Sequence, residues 1–265
     1  MTCHRRAQVQ TTSARSGWGS RLAMGALLIP LAFVEPAQAK CQDAPKPGVD
    51  WSGCSKARLL LTNEDLTGTI FSRSLLTLSD FASSRMTGTK LNETEVSRTR
   101  FEGADLSQAD FTKSIGWRAN FAQATLVGAV FQSADMSRSN FAQVKATRAN
   151  FNKSELNRSD FSGADLSGAD LSKAELARVV FQSARLTDVD FSYSNLSRAR
   201  LSGVDLQGVN LTGAYLFLTQ LDGANLTGAK GLTQAQIDIA CGNSETKLPT
   251  GLVPPRSWPC QDEVD

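Results

Sequence analysis

FSGADLSGADLSKAEL, residues 161–176, repeats itself every five residues. The register extends outward from this stretch in both directions. Of the 34 positions spaced by five from Leu61 to Leu226, all but Gly116 and Ala146 carry Leu, Phe, Met or Val. Two residues before each of these, from Thr69 to Ala224, stands Ala, Ser, Thr or Val. A period of five matches neither the 3.6 of an amphipathic helix nor the 2 of a long strand, so neither element can carry the pattern. Within one unit, small-x-large is a single strand-like alternation with both apolar positions facing the same way. The two polar residues that follow, often Ser-Gly, Ser-Arg or Thr-Gly, suit a bend. Each unit therefore reads as a very short strand plus a corner.

Longer periods give the number of corners in a coil. Phe and Leu alternate at a spacing of ten, as in Phe101, Phe111, Phe121, Phe131, Phe141, Phe151 and Phe161. Arginine recurs at a spacing of twenty, at Arg98, Arg118, Arg138, Arg158, Arg178 and Arg198. Four units per coil accounts for both periods.

The unit resembles the A-(D/N)-L-x-x motif of the pentapeptide-repeat proteins, here Ala164-Asp165-Leu166-Ser167-Gly168 and Ala169-Asp170-Leu171-Ser172-Lys173, over residues 61–230. The resemblance implies an all-β fold, a right-handed four-sided parallel β-helix whose large and small residues both point inward. With about 4.8 Å between stacked strands, some eight and a half coils would make a rod roughly 40 Å long. Of the 13 Phe, 11 sit at central positions, each worth roughly 1.5–3 kcal/mol on burial.

The expected organisation is a signal peptide over residues 1–39, an N-terminal cap over 40–60, the solenoid over 61–230 and a C-terminal cap over 231–265. Arg5, Arg6, Arg15 and Arg21 precede the apolar run LAMGALLIPLAFV, and Ala37-Gln38-Ala39 offers small residues for cleavage between Ala39 and Lys40. The run is shorter than the roughly 20 apolar residues of a membrane span, so no membrane anchor is expected after processing. Lys40 before Cys41 disfavours a lipid-attachment site.

Cleavage removes four of 28 basic residues and one of 26 acids, leaving 24 against 25 and a formal charge of −1. That balance gives no reason to expect nucleic-acid binding. It also removes Cys3 and His4, leaving four cysteines and no histidine. An even cysteine count outside the cytosol reads as disulfides. Cross-pairing would require tails running the length of the rod, whereas a disulfide spans only about 4.4–6.8 Å between Cα atoms. The expected pairs are Cys41–Cys54 and Cys241–Cys260. Beyond the last repeat, Thr233-Gln-Ala-Gln236 is a capping box for a short helix that Gly242 would end. The tail with Trp258 is similar to the C-terminal caps of many pentapeptide-repeat chains.

Without histidine the mature chain lacks the commonest general base and metal ligand. Carboxylates such as Asp105, Asp110, Asp165 and Asp170 recur at equivalent positions, and nothing singles out an acid–base pair among them. No catalytic residue, cofactor or metal site is expected, and an envelope enzyme working through surface carboxylates is the least supported reading. The arginine column is the strongest functional feature. Guanidinium groups at the strand spacing would repel by roughly 1 kcal/mol in water before screening. Glu95, Asp135, Glu155 and Glu175, three residues before their arginines, are expected to interleave with the column as ion pairs, while Ile115 and Asn195 hold the corresponding positions before Arg118 and Arg198.

The leading function is a non-catalytic structural or protein-interaction scaffold, periplasmic or secreted. Its arginine face would receive an anionic envelope polymer or an acidic protein. Its oligomeric state is not legible. The resemblance also raises the DNA-mimicking, gyrase-protecting members of the family, which need a strongly acidic surface and cytosolic access. A third class is surface binding by a threonine array at Thr67, Thr69, Thr87 and Thr89, which stops after two coils. Two local expectations complete the reading: at the gaps left by Gly116 and Ala146 a bulge, which at Gly116 turns Ile115 or Trp117 inward, with a small groove as the alternative; and cover of Tyr215 and Phe217 by the tail carrying Trp258, with a partner site as the alternative.

Overall fold

Five residues bring five backbone N–H groups, and the destination of each explains the coil. In the unit Ala104–Gln108, Ala104 N–H closes a turn on Phe101 O at 3.0 Å. Asp105 N–H reaches Ser84 O of the preceding coil at 3.0 Å, while Leu106 and Gln108 reach Thr125 O and Val127 O of the next at 2.8 and 2.9 Å. The fifth, on Ser107, donates to Asp105 Oδ1 at 3.0 Å. Asp110, Asp165 and Asp170 cap Thr112, Ser167 and Ser172 in the same way, at 2.9, 3.1 and 2.9 Å. The aspartate before each large residue is therefore turn chemistry, satisfying the one donor that stacking leaves over.

The computed structural model describes residues 41–260. The signal segment expected over 1–39, with its cleavage at Ala39–Lys40, lies outside the described residues. Parallel bridges join residues twenty apart from Asp50↔Ile70 to Asn210↔Lys230. With a turn every five residues, each coil has four turns. From Gly48 to Gly223 the second central residue of the repeat's turns has positive φ, as at Gly168 (67°) and Arg118 (57°), the signature of a type II turn.

The core is a column of apolar rings. Phe101, Phe121, Phe141 and Phe161 stack face to face at 4.7–5.0 Å. Phe111, Phe131 and Phe151 form a second stack at 4.6 and 4.9 Å. The two stacks meet edge to face at 5.6–5.9 Å, the arrangement the ring quadrupole favours. Alanine, serine and threonine two residues earlier are buried beside the rings. Thr69 and Thr89 are among them, with no exposed surface, so the threonine array does not exist as an outer face.

No bulge forms at Gly116. Ile115 and Trp117 point outward, 47% and 58% exposed. Gly116 keeps the regular bonds, its N–H to Asp135 O at 2.7 Å and its carbonyl to Ala119 N–H at 3.1 Å. The vacancy is filled from adjacent coils instead: a Cβ at Gly116 would collide with Met136 Sδ and lie 2.9 Å from Val96 Cγ2. Filling a gap with a flexible thioether costs less than breaking the ladder of coil-to-coil hydrogen bonds.

The coil begins before Leu61. Trp51 is fully buried, 5.5 Å from Phe71, and Asp50, Ser55 and Leu60 already pair with the next coil. Lys56 at a central position disguises this first turn in the sequence. Its ammonium sits 4.0 Å over the Trp51 ring. Burial lowers the Lys56 pKa, against an opposing pull from Asp43.

Disulfides join Cys41 to Cys54 and Cys241 to Cys260, with Cα atoms 5.6 and 5.4 Å apart. The one helix among the described residues, α1 (Gln234–Asp238), carries both halves of the capping box at Thr233 and Gln236. Gln236 Nε2 also donates to Leu211 O and Ala214 O at 2.8 Å each; Ala214 O is a carbonyl that a further coil's N–H would otherwise take up, while Leu211 O also accepts Ala214 N–H. Ile237 and Ala240 bury themselves on the last coil. The helix stops at its C-cap Ile239, so Gly242 does not end it. Gly242 instead leaves room for the Trp258 ring, which would lie 2.6 Å from a Cβ there. Trp258 Nε1 donates to Ala240 O at 2.7 Å. This position is away from Tyr215 and Phe217, which remain 50% and 40% exposed and stack on each other at 6.1 Å.

Candidate functional site

Arg98, Arg118, Arg138, Arg158, Arg178 and Arg198 occupy the second central position of the turn in six successive coils, with φ of 56–61°. The left-handed conformation costs a residue with a Cβ roughly 1–2 kcal/mol, and glycine avoids that cost. The same column continues as Leu78 on one side and Leu218 on the other, also at positive φ, with no glycine between Arg58 and Leu218. Each arginine backbone is fixed by the next coil, as in Arg98 N–H to Trp117 O at 2.9 Å and Arg138 N–H to Asn157 O at 2.9 Å.

Among the described residues the expected interleaving with acids does not occur at Arg98, Arg138 or Arg158, none of which forms an ion pair, and Arg118, preceded by Ile115 in place of an acid, forms none either. Three of the acids take other partners. Glu95 Oε1 accepts from Ser97 N–H at 3.1 Å, and Asp135 Oδ1 from Ser137 N–H at 3.1 Å. Asp135 Oδ2 accepts from Trp117 Nε1–H, and Glu175 Oε2 from Asn195 Nδ2 at 2.8 Å. A carboxylate one residue before the core position lies next to the turn's orphan N–H, and that short local ring wins over a mobile surface ion pair of small net value. Ion pairs form instead on other columns, Arg85–Asp65 at 3.3 Å and Arg100 with Asp80 and Glu102 at 3.1 and 3.5 Å.

Beside the unpaired arginines lies a hollow of about 710 Å³. Arg98, Arg118 and Arg138 line it together with the Trp117 ring, Leu78 and the hydroxyl residues Thr77, Ser97 and Ser137. Sequence reasoning missed Trp117 and Leu78 as surface features. The signal was available in their register: positions one and two after the core residue face outward along the coil, with Ala82 and Ser172 the buried exceptions.

Asp105, Asp110, Asp165 and Asp170 are dispersed along the wall as turn caps, and the structure assembles no acid–base pair from them. At Asp105 burial would raise the pKa, but hydrogen bonds from Ser107 and Thr87 hold it below the ordinary carboxylate value. Among the described residues no cluster of His, Cys, Asp and Glu could hold a metal ion. Among them too, no helix is long and apolar enough to cross a membrane.

Stacked five-residue units with an inward large residue define a β-solenoid of the repeat class. Descriptions of pentapeptide repeats match the chain: "Pentapeptide repeats (8 copies)" over residues 79–115, and "Pentapeptide repeat region" over 114–184, 134–211 and 154–230. The chain belongs to the pentapeptide repeat family. Comparison with curated proteins finds no match. Among solved structures it is similar to HetL, a pentapeptide repeat protein involved in heterocyst differentiation regulation from the cyanobacterium Nostoc. That match has 26% identity and a TM-score of 0.28 over 77% of this chain and 94% of HetL. It is also similar to QnrB1, a plasmid-mediated fluoroquinolone resistance protein, with 21% identity and a TM-score of 0.45 over 74% of this chain and 92% of QnrB1. A pentapeptide repeat protein from the Arabidopsis thaliana thylakoid lumen matches at 25% identity and a TM-score of 0.31, over 43% of this chain and 69% of its own.

Proposed function

We propose that the chain is a non-catalytic interaction scaffold of the cell envelope, exported by its N-terminal segment, whose arginine column is a docking face for an anionic partner. The winding that goes with this reading is right-handed and four-sided, closed by disulfide-bearing ends and a short capping helix. One observation carries the proposal: Arg98, Arg118 and Arg138 hold a backbone conformation that glycine would adopt more cheaply, without ion pairs to offset it, around a shared hollow. Side chains kept there at a conformational cost have their use outside the molecule. The disulfides favour an oxidising compartment.

In-cell photo-crosslinking from position 118, with mass spectrometry of the adduct, tests the reading. Capture of an acidic envelope component that disappears on charge reversal of Arg98, Arg118 and Arg138 supports it. If charge reversal leaves every envelope interaction of the protein unchanged, the arginine column is not the docking face.

A further inference from the structure

Resting on the arginine column as the docking face, we infer that its hollow binds an acidic glycan, a polysaccharide strand bearing carboxylate groups. Trp117 is the first reason. Its ring is 58% exposed, yet it is held from two sides: Nε1–H donates to Asp135 Oδ2, and the backbone N–H donates to Ser97 Oγ at 3.1 Å. Ile115, unlike an aspartate at that position, cannot cap the turn, and Ser97 of the preceding coil takes over. The result is an indole plate fixed in orientation and open to solvent. A pyranose ring offers such a plate a face of C–H hydrogens, which complements the electron-rich π face.

The rest of the lining suits the same ligand. Ser97 and Ser137 carry short hydroxyls at the wall of the hollow, able both to donate to and accept from sugar hydroxyls. Arg98, Arg118 and Arg138 follow one another at about the 4.8 Å strand spacing. Their guanidinium forks match carboxylate oxygens bidentately. Asp135 does not compete for them, because its two oxygens are occupied by Ser137 N–H and the indole.

Two other polymers fit less well. An extended peptide gains affinity by adding to a free strand edge, but the backbone groups here already bond between coils, as Arg118 N–H does to Ser137 O. Its same-face side chains also recur at about 6.4–6.8 Å, out of step with the coils. Single-stranded nucleic acid uses a succession of stacking platforms, whereas Trp117 is the one aromatic ring lining this hollow.

The test uses calorimetry on disulfide-intact protein purified after expression of the full chain. The probes are a size-defined oligogalacturonate, its methyl ester, a single-stranded DNA and a poly-glutamate peptide. The expected result is binding of the oligogalacturonate in preference to the DNA and the peptide. Neutralisation by methyl esterification should weaken it about tenfold or more, as should Arg118→Gly. Trp117→Ala should weaken it by about tenfold as well. Thermal midpoints confirm that the variants are folded; Arg118→Gly suits the left-handed turn and keeps that comparison clean. Equal binding of all polyanions with no effect of Trp117→Ala overturns the glycan inference and leaves the arginine face standing. So does preferential binding of DNA or poly-glutamate through the same arginines. Failure of every probe overturns the glycan inference, and unchanged envelope interactions after charge reversal would remove the docking face as well.

Discussion

The corner that follows Leu66, Met86, Leu126, Leu166 and Leu206 places glycine in the left-handed position, at Gly68, Gly88, Gly128, Gly168 and Gly208, with φ of 64–76°. The corner that follows Val96, Gly116, Met136, Leu156, Leu176 and Leu196 places arginine there, with φ of 56–61°. Both corners turn the chain from an aliphatic column into a phenylalanine column, one toward Phe71, Phe131 and Phe191, the other toward Phe101, Phe121 and Phe141. The backbone task is the same and the residue chosen is not. Gln108, Arg148 and Asp188 interrupt the glycine corner, so a side chain is tolerated in either place. The proposed docking face accounts for the unbroken run of arginine, which the backbone task alone does not require.

The comparison can be broken most forcefully through the core that supports both corners. Phe141→Ala and Phe131→Ala should each lower stability by roughly 3–5 kcal/mol, and by similar amounts, because each ring is sandwiched at 4.6–4.9 Å in its own stack. Urea unfolding measures both. A much smaller loss at one position would mean that the two corners do not rest on equivalent cores.

Gly116 offers a second, smaller test on the arginine side alone. Gly116→Leu should destabilise by roughly 1–3 kcal/mol through overpacking, because Met136 Sδ and Val96 Cγ2 already fill the site. Combining it with Met136→Ala should recover part of the loss, and additive losses would contradict the proposed filling.

The corners themselves are compared by exchanging residues. Arg118→Gly should raise stability by about 1 kcal/mol and Gly168→Arg lower it by a similar amount, read from thermal midpoints. Destabilisation by Arg118→Gly would show that the arginine stabilises the fold and would weaken the docking reading.

The smallest effect concerns acid. Hydrogen bonds from Thr67 hold the Asp65 carboxyl below its ordinary value. At Asp105 burial pushes upward, but the bonds from Ser107 and Thr87 prevail. A carboxyl depressed in the folded state stabilises above its unfolded pKa, and that contribution is lost as pH falls through the folded value. Both residues precede positions of the glycine corner, so hydrogen-exchange protection there, taken relative to the intrinsic amide rate at each pH, should fall as pH drops below the ordinary carboxylate range. Asp105→Asn, which keeps an acceptor for Ser107, should flatten the local response. An unchanged pH profile would exclude Asp105 from that role.

The repeat made much of this molecule legible from local pattern alone. Small-x-large fixes which side chains turn inward, Phe and Leu at ten and arginine at twenty fix the number of units in a coil, and Thr233 with Gln236 marks the helix start. Such features depend on residues a few positions apart and recur without interruption, so one register propagates through the whole stack.

Tertiary structure decided the places where neighbouring coils compete for the same group. Met136, twenty residues from Gly116, fills the vacancy that local reading assigned to Ile115 or Trp117. Asp135, three residues before Arg138, bonds instead to its own turn and to an indole eighteen residues back. Lys56 conceals the first coil, and Trp258 settles over Gly242 rather than over Tyr215 and Phe217. In each case several partners of similar strength lie within reach, and the outcome follows from inter-coil geometry, which a one-dimensional pattern does not carry. The sequence by itself determined the coil and the arginine column; the packing between coils determined that Arg98, Arg118 and Arg138 stand unpaired around a fixed tryptophan.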